Sequence, residues 1–295
     1  MRPHARRTLT ALLACVLSAG ALGACAPASG SQKLDVLASF YPLQFVAERV
    51  GGVHVTASNL TPPAADPHSL ELSPAQVRKL GSADLVVYLS GMQAAVDEAI
   101  ATSPPRLALD TAEVAGLTGQ GAEDPHFWQD PALLADVARD VADRLASVDP
   151  DHAAEFTANA DALAEELAIL DEEYRTELAP CAGATVVTSH EAFGYLAERY
   201  DLQQVGIVGI DPEVEPSPAR LRHVRSVVEE AGVRTVYFEV ITSPKVAETL
   251  ADDLGIATDR LDPIEGQADP EADYLDVMRA NLVALRDGLT CDAPA

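Results

Sequence analysis

The sequence predicts an α/β protein of two lobes, each a four-stranded, mainly parallel sheet with flanking helices, joined by one long rigid backbone helix. Two observations carry this reading. Short β-branched runs alternate with amphipathic segments in two successive series, the pattern of β-α units that build parallel sheets. Between the series lies 131–179, which has no strand signal, little Gly or Pro, and a break mainly at Val148-Asp149-Pro150. A chain of 295 residues is also long enough for two domains of ordinary size, each with its own core.

In the first series, 34–39, 53–60, 84–89 and 106–109 read as strands and 42–50, 74–80 and 93–101 as helices. In the second, 184–189, 203–208, 235–240 and 257–261 read as strands, with helices at 192–200, 218–231, 244–254 and 272–288. Within the connection, Ala154, Phe156, Ala160, Leu163, Leu167, Leu170, Tyr174 and Leu178 keep an apolar stripe at helical spacing. A helix over about 151–179 would extend roughly 40 Å at about 1.5 Å per residue. Such a connector is stiff, so the lobes are not expected to swing widely. The expected organisation is a leader over 1–24, a tether over 25–33, an N-terminal lobe over 34–130, a helical connection over 131–179 and a C-terminal lobe over 180–295.

The leader carries Arg2, Arg6 and Arg7 and no acid, followed by an apolar stretch too short to span a bilayer comfortably and by Leu22-Gly23-Ala24-Cys25. This reads as an export signal ending in a lipobox, so that Cys25 becomes the lipidated N-terminus and holds the protein on the outer face of the bacterial membrane. The Pro, Ser and Gly that follow suit a flexible tether. With Cys15 in the signal and Cys25 in the anchor, Cys181 and Cys291 remain. An exported protein rarely leaves two thiols free, and a disulfide between them is expected; a thiolate metal pair would want nearby His or closer Cys spacing. The chain has 20 Lys plus Arg against 46 Asp plus Glu, and without the three leader arginines 17 against 46, a net of −29. That charge excludes nucleic acid and limits membrane contact to the anchor, while attracting a cation. Nearly all these acids serve solvation on helix surfaces.

The chemistry concentrates at strand ends. Asp-Pro-His occurs twice, as Asp66-Pro67-His68 and Asp124-Pro125-His126. The Pro holds the chain extended and the Asp can accept a hydrogen bond, which presents each imidazole in one orientation. His190 closes the first strand of the second half and Asp262, in Leu261-Asp262-Pro263, closes the fourth. Ligands of parallel sheets bind beyond the carboxyl ends of strands. If the two sheets face one cleft, His68, His126, His190 and Asp262 offer three imidazoles and one carboxylate to a metal ion. His54, in a strand run, His152, at the start of the long helix, and His223, mid-helix, read as structural or solvated; His4 leaves with the leader.

These residues resemble a known family, the lipoproteins that serve as substrate-binding components of zinc and manganese ABC importers (the cluster A-I, ZnuA/TroA-like group). The resemblance covers nearly all of the mature chain. It rests on Phe40-Tyr41-Pro42-Leu43, Pro67-His68 with Glu71 and Pro74, Asp124-Pro125-His126-Phe127-Trp128 with Pro131, Ser189-His190-Glu191-Ala192-Phe193-Gly194-Tyr195, and Tyr274 with Asn281-Leu282. It implies that His68, His126, His190 and Asp262 are the ligands, and that Glu239 matches an acidic position beside the site, as a support or an alternate ligand. It also implies delivery of the ion to an ABC permease with its ATPase subunit. The protein is expected to act as a monomer, and a metallochaperone is a further candidate partner. Gly91-Met92-Gln93 departs from the family pattern after the third strand.

Zinc is the preferred ion and manganese the alternative. Zinc-specific members often carry a long His-rich loop before the second ligand, whereas 117–123 is short and has no His. The donor set still favours zinc, because a site built for manganese usually offers more oxygen. A zinc hydrolase is the rival from another class; it would need an open coordination position and a base, and the chain has no His-Glu-x-x-His helix. An adhesin is a second rival, without any β-rich adhesive module to support it. A carrier rather than an enzyme is therefore expected.

Overall fold

In the computed structural model, which describes residues 33–63, 65–114, 116–117, 124–239, 244–289 and 291, the β-branched runs form two parallel sheets. The first contains β1 (Leu34–Ala38), β2 (Val55–Asn59), β3 (Leu85–Tyr88) and β4 (Ala108–Asp110), in the order β2-β1-β3-β4. The second contains β5 (Thr185–Thr188), β6 (Gln203–Gly206), β7 (Thr235–Phe238) and β8 (Ala257–Arg260), in the order β6-β5-β7-β8. Every pairing is parallel. The two orders are the same, so the two halves repeat one topology. Seven of the eight strands lie within the expected runs, and β4 extends one residue past its run, to Asp110. The start of the second run differs: Gly52–His54 is a 3-10 turn, so His54 precedes β2 rather than lying in it. Residue 240, the expected end of the seventh run, lies outside the described residues, as do the leader, Cys25 and most of the loop 117–123.

Helices α1 (Tyr41–Gly51), α2 (Pro74–Ser82), α3 (Ala94–Thr102) and α4 (Thr111–Val114) belong to the first half. Helices α5 (Pro131–Val148) and α6 (Ala153–Leu178) make the connection. Helices α7 (Gly194–Arg199), α8 (Pro218–Ala231), α9 (Lys245–Leu254) and α10 (Tyr274–Gly288) belong to the second half. Their ends follow local chemistry. Ser73, Asp130 and Ser217 accept from the backbone of the first turns of α2, α5 and α8, each before a Pro whose fixed φ suits the first helical position. Gly255 ends α9 at φ 66°, a left-handed conformation that glycine adopts without steric cost.

The break expected near Pro150 is a 3-10 turn, Pro150–His152, where α5 and α6 fold back on each other. On α6, Phe156, Ala160, Leu163, Leu167, Leu170, Tyr174 and Leu178 are buried; Ala154 is exposed, which trims the expected stripe at its first turn. At 26 residues the helix runs about 39 Å.

The cores depart from the expectation of one per lobe. Strand side chains alternate between faces, and the outer faces do have separate clusters. Leu37, Leu60, Leu80, Val86 and Val96 pack outside the first sheet, and Val187, Ile207, Val224, Val236 and Leu250 outside the second. The inner faces share one cluster. Val36, Leu85 and Val87 of the first sheet and Val186 and Tyr237 of the second join the apolar sides of α1, α5, α6 and α10 in it. Residues from Lys33 onward accordingly form one compact unit.

Cys181, just after α6, and Cys291, after α10, form the expected disulfide. It closes a separation of 110 residues, so it should stabilise chiefly by restricting the unfolded chain. Replacing both cysteines with serine should lower stability by about 2–5 kcal/mol, read from the denaturant midpoint. The unfolded, unreduced chain lacking residues 1 to 25 should titrate no thiol; two would show that the bridge does not form in solution.

Candidate metal centre

Four side chains meet beyond the carboxyl ends of the strands, and they come from both halves. His68 follows β2, His126 follows β4, His190 follows β5 and Glu265 follows β8. Their candidate ligand atoms all lie within 4.8 Å of one another. Glu265 Oε1 is 3.0 Å from His68 Nε2, 2.9 Å from His126 Nε2 and 3.4 Å from His190 Nε2. His126, His190 and Glu265 are buried, and the His68 side chain is 12% exposed.

The expected trio of histidines is thus brought together, but Asp262 is not part of the group. Its Oδ1 accepts from Ile264 N–H (2.9 Å) and its Oδ2 from Arg260 Nη2 (2.8 Å). Asn281 brackets its backbone, accepting from Asp262 N–H at 2.9 Å and donating to its carbonyl at 2.7 Å. With its oxygens turned to the loop, Asp262 shapes the segment that presents Glu265. Ile264 takes φ 61°, a left-handed conformation costly for a β-branched residue, and remains buried. The Pro263 carbonyl accepts from both Trp128 Nε1 (2.7 Å) and Gln129 Nε2 (2.6 Å). The loop is therefore fastened to the 3-10 turn immediately after His126.

Two imidazoles are oriented by one device. A single carboxylate oxygen accepts from both the backbone N–H and the Nδ1–H of the same histidine. For His126 the acceptor is Asp124 Oδ1, at 2.9 and 2.7 Å. For His190 it is Glu239 Oε1, at 3.2 and 2.6 Å. Glu239 thus supports His190 rather than facing the centre. At His68 the Asp66 carboxylate accepts only the backbone N–H, at 2.7 Å. The Asp-Pro-His tripeptides do what their composition predicted: the Asp closes a turn onto the residue after the Pro.

Phe193-Gly194-Tyr195 reaches the same loop from the other half. A Cβ at Gly194 would collide with the Asp124 carboxylate, and Tyr195 Oη donates to the Asp124 carbonyl at 3.4 Å. Only a residue without a side chain lets Asp124 stand where it supports His126.

Carboxylate oxygens stand beside both ring nitrogens of His126 and of His190. Burial alone would lower the His190 pKa, but hydrogen bonds and charge from Glu239 and Glu265 outweigh it and push it up to about 10. Burial opposes protonation of His126 as well, and Asp124 and Glu265 again reverse the sign and raise it. Glu265 shows the counterpart: burial would raise its pKa, yet the three histidines hold it well below the usual carboxylate range. These linked shifts describe a cage charged for exchange, in which a divalent cation can replace protons on Nε2 while the Nδ1 contacts persist. Three imidazole nitrogens and one carboxylate oxygen are a four-coordinate set suited to zinc.

The comparisons agree with the cage. A family profile described as ZnuA, zinc-uptake complex component A, periplasmic, matches residues 36–288. The chain is 32% identical over 284 residues to the high-affinity zinc uptake system protein ZnuA of Bacillus subtilis (strain 168), covering 88% of this chain and 89% of that protein. It is 31% identical over 292 residues to the zinc-binding protein AdcA of Streptococcus pyogenes serotype M6, covering 88% of this chain but 56% of AdcA, so it spans little more than half of that relative. Among solved structures it is similar to the laminin binding protein Lmb of Streptococcus agalactiae, described as bifunctional with adhesin and metal transporting activity. That match has a TM-score of 0.80 and 34% identity, covering 86% of this chain and 99% of Lmb. With the profile spanning both sheets and the connection between them, the chain belongs to the ZnuA family, the zinc-binding components of zinc uptake systems.

Proposed function

We propose that the protein captures one zinc ion through the Nε2 atoms of His68, His126 and His190 and the carboxylate of Glu265, and delivers it to the permease of an ABC importer driven by a separate ATPase subunit. The observation that carries this reading is the pairing of Nδ1 with Asp124 in His126 and with Glu239 in His190, which turns Nε2 of both rings toward Glu265 and the centre. Histidine ligands of metal sites are held in this way. Zinc is favoured over manganese by the three nitrogens and the single carboxylate.

In this reading the zinc is cargo. With Glu265 as fourth ligand the shell is closed and leaves no water for activation, so the protein holds and releases the ion without turnover. The N-terminal segment anchors it: Cys25 carries the lipid, and the folded body works as a monomer on the outer face of the membrane. Among the described residues no helix is long and apolar enough to cross a membrane. A metallochaperone is the remaining partner this reading admits.

Competitive titration of the metal-binding variants tests the ligand set. Glu265→Gln should weaken zinc binding by about a hundredfold or more, because it removes the anionic ligand. Asp262→Ala should cost less, about tenfold, since it loosens only the loop behind Glu265. The opposite ranking would return the ligand role to Asp262.

The proton balance gives a second test. His190, raised to about 10, holds a proton at neutral pH in the metal-free protein, and His126 is shifted in the same direction. Zinc must displace these protons, so its apparent affinity should fall as pH falls, about tenfold per unit for each proton displaced. Calorimetry at pH 7 in buffers of different ionisation enthalpy should register at least one proton released per zinc. Zero release would contradict the three-imidazole site.

A further inference from the structure

Gln204 stands on β6, an edge strand of the second sheet, and does not belong to the metal cage. Its side-chain amide nevertheless touches three points of the chain that carries His190. Nε2 donates to Thr188 Oγ1 at 3.1 Å and to the His190 carbonyl at 3.2 Å, and Oε1 accepts from Phe193 N–H at 3.2 Å. The partners fix the orientation of the amide, because a carbonyl only accepts and a backbone N–H only donates. Thr188 Oγ1 donates to the same His190 carbonyl at 2.6 Å, so two donors converge on that oxygen. The other side of the residue belongs to Glu239, which accepts from the His190 N–H and Nδ1–H. His190 is thus held at both backbone groups, and Gln204 supplies part of the hold on its carbonyl.

The acceptor end of the amide leads to the other half of the molecule. Phe193 precedes Gly194, where a Cβ would collide with the Asp124 carboxylate and would lie 3.7 Å from Gln204 Oε1. Tyr195 Oη, one residue on, donates to the Asp124 carbonyl at 3.4 Å. Asp124 Oδ1 in turn accepts from the N–H and Nδ1–H of His126. Displacing Phe193 therefore moves the wall against which Asp124 stands and, with it, the His126 ring. Gln204, Gly194 and Asp124 also border one cavity of about 610 Å³. Because that side is open, hydrogen bonds rather than close packing keep these groups in place.

We propose that Gln204 is a positioning residue for zinc binding, holding His190 through its carbonyl and holding His126 through Phe193, Gly194 and Asp124. The inference rests on the zinc-carrier reading above and adds to it a single amide that serves ligands from both halves. Partners behind a metal ligand fix its orientation and thereby its affinity for the ion. Here the partner acts on the backbone of one ligand and on the supporting carboxylate of another.

Competitive zinc titration and imidazole 15N spectra of the zinc-loaded mature chain test this with two variants. Gln204→Leu removes all three hydrogen bonds, whereas Gln204→Glu keeps an acceptor for Phe193 N–H but cannot donate to the His190 carbonyl. Gln204→Leu should weaken zinc binding about tenfold or more, the size expected when a partner behind a metal ligand is lost, and should shift the ring resonances of both His190 and His126. A role in folding alone would lower the denaturant midpoint and leave zinc Kd within about twofold of the parent with both rings unmoved; that result would overturn the proposal. Movement of His190 without His126 in Gln204→Leu would overturn the link through Gly194. Should Gln204→Leu fail to fold, Gln204→Glu decides: weakened zinc binding with a shifted His190 ring supports the proposal, and parent-like binding with an unmoved ring overturns it. A parent whose zinc affinity is untouched by His190→Ala would overturn the ligand set of the zinc-carrier reading itself, and this inference with it.

Discussion

The metal centre depends on how one carbonyl is held. The Pro263 oxygen accepts from Trp128 Nε1 and Gln129 Nε2, both buried, and that pair of bonds ties the loop after β8 to the turn after His126. Without it, Ile264 would have little reason to stay at φ 61°, and Glu265 would not point at histidines supplied by the other half. The constraint is reinforced from behind: Tyr274 at the start of α10 donates to the Trp128 carbonyl at 2.6 Å, and Asn281 two turns later clasps Asp262. A conformation costing on the order of 1–3 kcal/mol persists because the surroundings leave the loop no other arrangement.

Electrostatics then sets the cage's state. Four buried or half-buried carboxylates surround three imidazoles: Glu265 at the centre, Asp124 and Glu239 on the outer nitrogens, and Asp66 on the backbone of His68. Unpaired, each such charge in a low-dielectric setting would be costly. Protons on the histidines balance them when the cage holds no cation, and a divalent ion can take over that balance. Burial raises Asp66 above the usual carboxylate range, and the neighbouring charges of Glu265 and Glu213 push in the same direction.

Most of the fold was legible because its signals are local. Runs such as Val36, Leu37 and Ala38 or Leu85, Val86 and Val87, buried on both faces, announce parallel strands, and helix starts are written in Ser-Pro and Asp-Pro pairs. His68 and His126 were legible because each stands in an Asp-Pro turn whose geometry follows from its neighbours, and His190 because it stands just beyond the end of β5, though what holds it, Glu239, is distant in sequence. Glu265 was not, for the same reason that Asp262 misled. The chain contains seven Asp-Pro pairs, and in six of them the Asp Oδ1 accepts the N–H two residues on: at His68, His126, Ala132, Glu213, Ile264 and Glu271. Asp-Pro is thus a local turn device, and its Asp is occupied by the turn. Asp262 is equivalent to Asp66 and Asp124, so the carboxylate that joins the cluster follows the Pro, as the imidazoles do in both His loops. The extra step from Ile264 to Glu265 comes from a left-handed residue fixed by tertiary contacts, which no local pattern encodes.

The shared inner core bears on how such a site can open. Expecting one core per lobe treats the halves as separable bodies, but α1, α5, α6 and α10 bury their apolar sides in a layer common to both sheets. Prising the halves apart would expose that layer, and at about 25 cal/mol per Å² of apolar surface even 200 Å² would cost roughly 5 kcal/mol, comparable to the whole stability of many domains. Loop movement is cheaper. His190 sits directly after β5 and is pinned by Glu239; His126 is pinned by Asp124 and by the packing of Trp128 at 5.2 Å between ring centroids. His68 lies in a stretch whose described residues between Leu60 and Ser73 form no helix or strand, partly exposed, with the Asp66 bond at its backbone. His126, His190 and Glu265 are buried beside the common core while the His68 side chain is 12% exposed, so the cage is least enclosed on the His68 side.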